Sequence, residues 1–408
     1  MLLCDVLFLT PYLDVFYSVE GLWPEALGSG PLIGASHATL LVVWSLGCLS
    51  LLAFALGAFA RVSAFLSLVF LVVIHHRDPS ITTGGDYLAQ ILVAFCVLLD
   101  TGSAFSIDAR LRGRARAFVP AMPWRAMQLH LAILYFVTAR LKIRGGWLSG
   151  DGVYFGLQHL GFLRPPGAWL MEHPELCRLS TFIILGLEAA CAFLALCPIK
   201  GRSARLGAAA CSATVQLGIL MTMRVGMFTA LMLSTCILFL PAAPRAAVER
   251  DAAYRRWRYA LVALCSALVV LIAWDVFIGR RFPLPAAVRR ARDAVGLGAQ
   301  FDLFGATYEV QQWSARGVRS DGQEVDVMSA TAPGFASRVG WLFSPYYKVT
   351  FDPNYDAAAI AQWMCRAYAH ERGTPLSLIT LAKHARQPVR PNAETPFVDT
   401  VLYAGPCQ

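Results

Sequence analysis

Three polar side chains, spaced by seven residues in an apolar run, could do chemistry. They are Gln128, Tyr135 and Lys142. Because an α-helix has 3.6 residues per turn, residues seven apart lie on nearly the same face. A helix here would carry a polar stripe that ends in an amine. An ionisable group within a membrane is costly and is usually functional or interfacial, so Lys142 is either a chemical group or an anchor that extends to the membrane surface.

Further ionisable residues lie near the ends of other apolar segments. His75 and His76 end one segment, Asp86 begins the next, and Arg224 lies between two later ones. Together with Lys142 they could line one polar cavity on the outer side of a helical bundle. Adjacent histidines without a third ligand are more typical of an interfacial pair than of a metal site, and we predict no bound metal.

Glu188 interrupts an otherwise apolar run. A carboxylate in that position needs a partner or a proton, so a structural ion pair and a functional acid are both compatible with it. Trp147 follows a basic pair and is typical of an aromatic anchor at a membrane interface. We find no Ser/His/Asp arrangement, Gly-rich phosphate loop or HExxH motif in the sequence.

The composition identifies the kind of protein that must position these residues. Of 408 residues, 57% are hydrophobic and only 15% are charged, whereas soluble domains carry about 25% charge. The chain is therefore expected to be an integral membrane protein in contact with the lipid bilayer. Its net charge of +9 comes from arginines in short loops, as the positive-inside rule describes, and we exclude nucleic acid as a partner.

Apolar segments divide residues 1–278 into a predicted all-α polytopic membrane helical bundle of about nine spans, some short enough to be tilted or re-entrant. The segments run near 1–17, 36–60, 62–76, 86–102, 124–142, 179–198, 204–222, 225–243 and 257–278. Under this count the arginine-rich loops share one side, which we predict to be cytoplasmic. The protein would lie in the cytoplasmic (inner) membrane, with its N-terminus inside and its C-terminal region outside.

Residues 279–408 are predicted to form a small extracytoplasmic α+β domain. Residues 307–327 alternate apolar and polar side chains around a Ser-Asp-Gly turn, which indicates a β-hairpin. A helix is expected over 356–370 and a further strand over 376–381. In an oxidising compartment Cys365 and Cys407 would either form a disulfide or remain two thiols, because the sequence gives no distance between them.

The order Gln128, Tyr135, Lys142, Trp147 and Gly150 resembles the signature of the HTTM (horizontally transferred transmembrane) domain, whose best-known member is the vitamin K-dependent gamma-carboxylase. Three further blocks are similar to this family: residues 78–88 with Asp86, the mid-helix Glu188, and residues 224–228 beginning with Arg224. The C-terminal region resembles the short module of bacterial members. The resemblance covers most of the chain.

The resemblance implies an outer site for a quinol-like lipid and an exported substrate. In the carboxylase a lysine matching Lys142 is the base that deprotonates vitamin K hydroquinone, and a low-dielectric site favours the uncharged amine that such a base requires. Reduced vitamin K or another quinol would be the cofactor, and an exported peptide or protein the substrate. Gln216 stands where the carboxylase has a functional histidine.

Three functions follow as hypotheses. The first is an intramembrane gamma-carboxylase-like or quinol epoxidase-like enzyme, with Lys142 as base and His75, His76, Asp86, Glu188 or Arg224 shaping the site. The second is a non-carboxylating maturation or export factor for a secreted peptide, like the HTTM proteins associated with sporulation-delaying toxin. The third is a purely structural membrane protein, in which Lys142 and Glu188 matter only for stability.

Overall fold

The chain folds as a helical bundle followed by a small mixed domain. The computed structural model describes residues 1–10, 13, 17, 32, 34–77, 82–99, 101–113, 121–159, 163–197, 201–225, 227–240, 252–277, 281–294, 310–327, 357–391, 393 and 395–407.

The first half of the bundle is a series of helices that pack in chain order. Helix α2 is capped at its start by Ser36, whose hydroxyl accepts the backbone N–H of Thr39 at 3.3 Å, and at its end by Gly57, whose φ is +65°. Helix α1 packs on α2, α2 on α3, and α3 on α4. The helices are α1 (Leu2–Leu9), α2 (His37–Leu56), α3 (Ala60–Arg77), α4 (Gly84–Leu98) and α5 (Ile107–Leu111).

The second half of the bundle is built around the helix that carries the polar stripe. This helix, α6, packs against α4, α9 and α12, while α9 packs on α10 and α10 on α11. The stripe therefore lies among other helices. The helices are α6 (Ala121–Arg144), α7 (Gly152–Leu157), α8 (Pro165–Met171), α9 (Pro174–Leu196), α10 (Gly201–Thr222), α11 (Met227–Thr235) and α12 (Ala252–Phe277).

Within the described residues, four helices are long and apolar enough to cross a membrane, namely α2, α3, α9 and α10. Large apolar side chains such as Leu46, Leu49 and Phe193 remain exposed on them, as expected of a surface that contacts lipid. The prediction of a membrane helical bundle with a small C-terminal sheet is confirmed. The figure of about nine crossings stays a prediction, because the other apolar helices are shorter or less apolar.

The C-terminal domain is a four-stranded antiparallel sheet with the order β2-β1-β3-β4. Helix α14 packs on one face of it, where Ile360 and Met364 are buried with Ile379 and Leu381. The predicted hairpin turns at Gly322, whose φ is +84°, and the expected helix and strand are α14 and β3. The elements are α13 (Ala286–Ala294), β1 (Val310–Arg319), β2 (Glu324–Asp326), α14 (Ala357–Arg372), β3 (Leu376–Arg386) and β4 (Val398–Pro406).

The sheet and α14 are joined by a disulfide between Cys365 and Cys407, whose Cα atoms lie 5.7 Å apart. Replacing both cysteines by alanine should lower the free energy of unfolding of the domain by about 2–4 kcal/mol, because the bridge closes a long loop in the unfolded chain. Proteolysis across a urea series would measure this loss. Cys4→Ala, which removes an exposed free thiol, is the control, and equal urea midpoints for all three proteins would contradict the prediction.

The domain docks on the segment that follows α6. The side-chain amide of Gln158 donates to the carbonyl of Val389 at 2.6 Å and accepts its N–H at 3.1 Å. Nearby, Arg390 Nε lies 3.3 Å from Asp151 Oδ2. The connection between β3 and β4 is thus attached to the bundle at the end of α6 that carries Lys142.

Candidate functional site

The polar stripe of α6 faces into the bundle, where each of its side chains has a partner on a different element. Gln128 Nε2 donates to the carbonyl of Leu238 at 2.5 Å. The hydroxyl of Tyr135 lies 2.7 Å from Ser212 Oγ and accepts from Gln216 Nε2 at 3.3 Å. Because buried polar groups must be hydrogen-bonded, these contacts fix the rotation of α6 about its axis.

Lys142 forms an ion pair with Glu188 of α9. Both residues are only 4% exposed, so Lys142 does not reach the membrane surface as an anchor would. The Trp147 ring lies above the amine, with its centroid 4.7 Å from Nζ, which adds a cation–π contact. Two opposite charges in such surroundings must be paired, since removal of one leaves the other uncompensated.

Two acceptor oxygens of residues that contact the α6 stripe have no hydrogen-bond donor among the described residues. They are Glu188 Oε2 and Gln216 Oε1, both buried. A buried acceptor without a donor costs roughly 1–3 kcal/mol. Glu188 and Gln216 also contact the same α6 stripe through their other atoms. The arrangement therefore suits a ligand that donates hydroxyl hydrogen bonds.

The position of Trp147 depends on a glycine-rich segment. Trp147 begins a short 3-10 turn bounded by Gly146 and Gly150, whose φ values are +87° and +90°. A Cβ atom on Gly152 would lie 2.3 Å from Trp147 Cδ2. Only glycine allows this close approach of backbone to indole, and the indole is thereby held over Lys142.

A second polar group lies at the ends of α3 and α4. His75 Nδ1 lies 2.6 Å from Gln90 Nε2, and its Nε2 lies 3.7 Å from Asp86 Oδ1. The other carboxylate oxygen of Asp86 accepts the backbone N–H and the hydroxyl of Thr83, each at 2.7 Å. Thr83 is the N-cap residue of α4, and Asp86 at the third helical position completes its capping box while also lying beside the imidazole.

This second group lines a cavity between α1, α2, α3 and α4. Its polar wall consists of Asp5, His75, Thr82, Thr83 and Asp86, and its apolar wall includes Trp44 and Phe70. Lys142 and Glu188 are not among its lining residues. The structure thus separates the predicted outer cavity into two groups, one around Lys142 and one around Asp86.

Asp86→Ala should destabilise the protein by about 1–2 kcal/mol, because the substitution removes the carboxylate that accepts two hydrogen bonds from the N-cap residue Thr83. The melting temperature of the purified protein would measure the loss. Asp86→Asn keeps one acceptor oxygen and should lie between the wild type and Asp86→Ala. An Asp86→Ala protein with the same melting temperature as the wild type would contradict this role of Asp86 in the capping box.

The remaining predicted residues lie outside these two groups. His76 is half-buried beside His75 on α3, and Arg224 is exposed between α10 and α11. Within the described parts of the chain, no three His, Cys, Asp or Glu side chains are grouped to hold a metal ion.

Sequence reasoning missed several polar residues that the fold brings together. Ser212 forms a hydrogen bond with Tyr135, and Asp5 lines the same cavity as Asp86. Neither residue belongs to a recognisable sequence motif. The expectation of no Ser/His/Asp arrangement in this chain is wrong. Ser314, His384 and Asp399 are hydrogen-bonded in a row across β1, β3 and β4. Their wide separation along the chain gave no signal, since only strand pairing makes them neighbours.

Comparison with known proteins gives one match. The family model for the HTTM domain matches residues 32–243, a range that contains Lys142, Glu188, Asp86 and Gln216. No curated protein and no solved structure matches the chain.

Proposed function

Since the chain belongs to the HTTM domain family, which matches slightly more than half of it, we propose that this integral membrane protein is an acid–base enzyme acting on a reduced quinone. The observation that carries the proposal is the buried ion pair between Lys142 and Glu188. If these two side chains served only to stabilise the bundle, apolar side chains of similar volume would make it at least as stable. The pair therefore points to proton transfer.

The two side chains can exchange a proton directly. When Glu188 holds the proton, Lys142 is a neutral amine whose lone pair can accept a proton from an acidic hydroxyl. When the amine is charged, the carboxylate stabilises it. Glu188 therefore prepares Lys142 as a base while excess charge stays out of the apolar interior.

The unpaired acceptors fit a quinol. Glu188 Oε2 and Gln216 Oε1 lack donors among the described residues, and a reduced quinone carries two phenolic hydroxyls on an apolar ring. When bound, such a quinol supplies an acidic hydroxyl and the reducing electrons for oxygenation. Gln216 and Tyr135 would orient the hydroxyl groups, and Lys142 would accept the proton.

The position of the C-terminal domain supports an exported substrate. The domain docks through Gln158 and Asp151, which follow the Lys142 end of α6, and it contains the disulfide between Cys365 and Cys407. Structural disulfides are typical of oxidising compartments outside the cytoplasm. We therefore propose that this domain and the Lys142 end of α6 lie on the outer side of the cytoplasmic membrane.

Ligand-dependent melting in detergent tests the quinol proposal. Reduced vitamin K should raise the melting temperature of the wild type, because a ligand that binds only the folded protein stabilises it. Oxidised vitamin K, which lacks the hydroxyl donors, should raise it less. Gln216→Leu, which removes one unpaired acceptor, should reduce the shift. Equal shifts with the oxidised and reduced forms would contradict hydroxyl recognition.

The second candidate function is maturation or export of a secreted peptide. Strand β4 forms one edge of the sheet, and an extended peptide can add to such an edge as a further strand. Arg390→Ala with Gln158→Ala should loosen the domain from the bundle. Mass spectrometry of the host's secreted peptides should then show accumulation of an unprocessed precursor, while reduced vitamin K still shifts the melting temperature. An unchanged peptide profile would contradict this candidate.

A further inference from the structure

Three polar side chains form a continuous hydrogen-bonded row on the C-terminal sheet. Ser314 Oγ lies 2.8 Å from His384 Nε2, and His384 Nδ1 lies 2.6 Å from Asp399 Oδ1. The serine and the carboxylate thus contact opposite nitrogens of one imidazole. This is the order of contacts by which a Ser-His-Asp triad is recognised, whatever the positions of its members in the sequence.

The strand register produces this row. His384 on β3 is directly opposite Asp399 on β4 and opposite Gln312 on β1. Ser314 lies two residues beyond Gln312, so its side chain is on the same face as that of His384. The alternate residue Ala315 is fully buried on the other face, in the core with α14. The row therefore occupies the face opposite α14.

The row is accessible from outside the domain. The His384 side chain is 28% exposed and that of Asp399 is 68% exposed. Because the carboxylate accepts a hydrogen bond, the Nδ1 atom carries the hydrogen, and the Nε2 lone pair is directed at the serine hydroxyl, which donates to it. The imidazole is thus already in the tautomer that can remove the hydroxyl proton.

We propose that Ser314, His384 and Asp399 form an acyl-transfer site for an ester or thioester at the exposed face of the C-terminal domain. Ser314 is the nucleophile, His384 is the general base and acid, and Asp399 is a positioning residue that holds the ring. Arg316 is exposed on the same strand face, about 7 Å further along β1. In this proposal its guanidinium stabilises negative charge on the carbonyl oxygen.

The reaction requires only the ester or thioester substrate and water. Ser314 Oγ bonds to the acyl carbon while His384 Nε2 takes the hydroxyl proton. The bond to the leaving oxygen or sulfur then breaks, and His384 returns that proton to the leaving group. Water, deprotonated by the same imidazole, attacks the acyl-serine, releases the carboxylic acid and restores the serine hydroxyl. This site is separate from the Lys142–Glu188 pair and does not depend on the function proposed for it.

Covalent labelling with a fluorophosphonate probe tests this site, because the probe reacts with activated serines. The full-length protein in detergent should gain one phosphonyl group, located at Ser314 by mass spectrometry of peptides. Ser314→Ala should abolish the label, and His384→Ala should slow it at least about tenfold, since the general base is lost. Asp399→Asn should also slow labelling, and Asp399→Glu, which restores a carboxylate, should recover part of the rate.

Ser377→Ala is the matched control. Ser377 is an exposed serine of the same sheet, and its hydroxyl donates to the carbonyl of Val318 at 2.8 Å. Its removal should leave labelling unchanged, and equal resistance to proteolysis will show that the Ser314 and Ser377 variants are both folded. Absence of label on the wild type, or equal labelling of the Ser314→Ala protein, would overturn the proposal and leave the row as cross-strand hydrogen bonds only.

Discussion

Glu188→Ala is expected to destabilise the protein by about 3–5 kcal/mol, which is the usual effect of removing one partner of a buried ion pair. The substitution leaves the Lys142 amine uncompensated, since among the described residues its other contact is the uncharged Trp147 ring. Unfolding in detergent, followed by circular dichroism, would measure the loss. Glu175→Ala is the matched control, because Glu175 is an exposed carboxylate on the same helix, α9.

The double substitution Lys142→Met with Glu188→Leu separates the contribution of charge to stability from the contribution of packing. Both new side chains are apolar and similar in volume to those they replace, so the double variant should melt at or above the temperature of the wild type. A Glu188→Ala protein as stable as the Glu175→Ala control would contradict the buried pair. A double variant less stable than each of the single variants Lys142→Met and Glu188→Leu would show that packing, and not charge, dominates the stability at these two positions.

Lys142→Ala is expected to lower the rate at which reduced vitamin K is oxygenated by about 10²–10⁴-fold, the usual contribution of a general base. The rate is measured as oxygen uptake by the protein in lipid nanodiscs. Arg144→Ala is the control, since Arg144 is an exposed cation two residues further along the same helix. If both variants lose the same fraction of the oxygen-uptake rate, the loss is due to the charge removed and not to a base, and the assignment of Lys142 as base is contradicted.

The sequence predicted the inward-facing stripe but not its partners. A spacing of seven places Gln128, Tyr135 and Lys142 on one face of any helix. The side chains they meet depend on how α9, α10 and the 3-10 turn Cys236–Phe239 pack around α6. Ser212 is 77 residues from Tyr135, and a lone serine in an apolar helix has no pattern that identifies it. Glu188 was recognisable because a carboxylate in such a run must have a partner.

The choice between anchor and buried group could not be made from the sequence for a similar reason. Lys142 lies in the last turn of α6, where a lysine can reach a membrane interface or fold back onto a neighbouring helix. Packing of α9 against α6 decides between them, because it places Glu188 against the amine. The cavity lined by Asp86 does not include Lys142, although the sequence had grouped the two residues in one cavity.

In the C-terminal domain the hairpin was predictable and β4 was not. Gly322, flanked by segments in which apolar and polar side chains alternate, indicates a hairpin turn. Residues 398–406 show no regular alternation of this kind. The pairing of β4 with β3 shifts by one residue between Leu381 and Ala382, so the phase of inward-facing side chains changes within the strand. Without β4, neither Asp399 nor its contact with His384 could be anticipated.

The rate of oxygen uptake with reduced vitamin K, compared between the wild type and the Lys142→Met, Glu188→Leu double variant, tests the central claim most directly. The two proteins should melt at similar temperatures, so that stability cannot explain a difference. We predict turnover by the wild type and at least about a hundredfold lower rate in the double variant. Equal rates in the two proteins, including no uptake by either, would contradict a catalytic role of the Lys142–Glu188 pair.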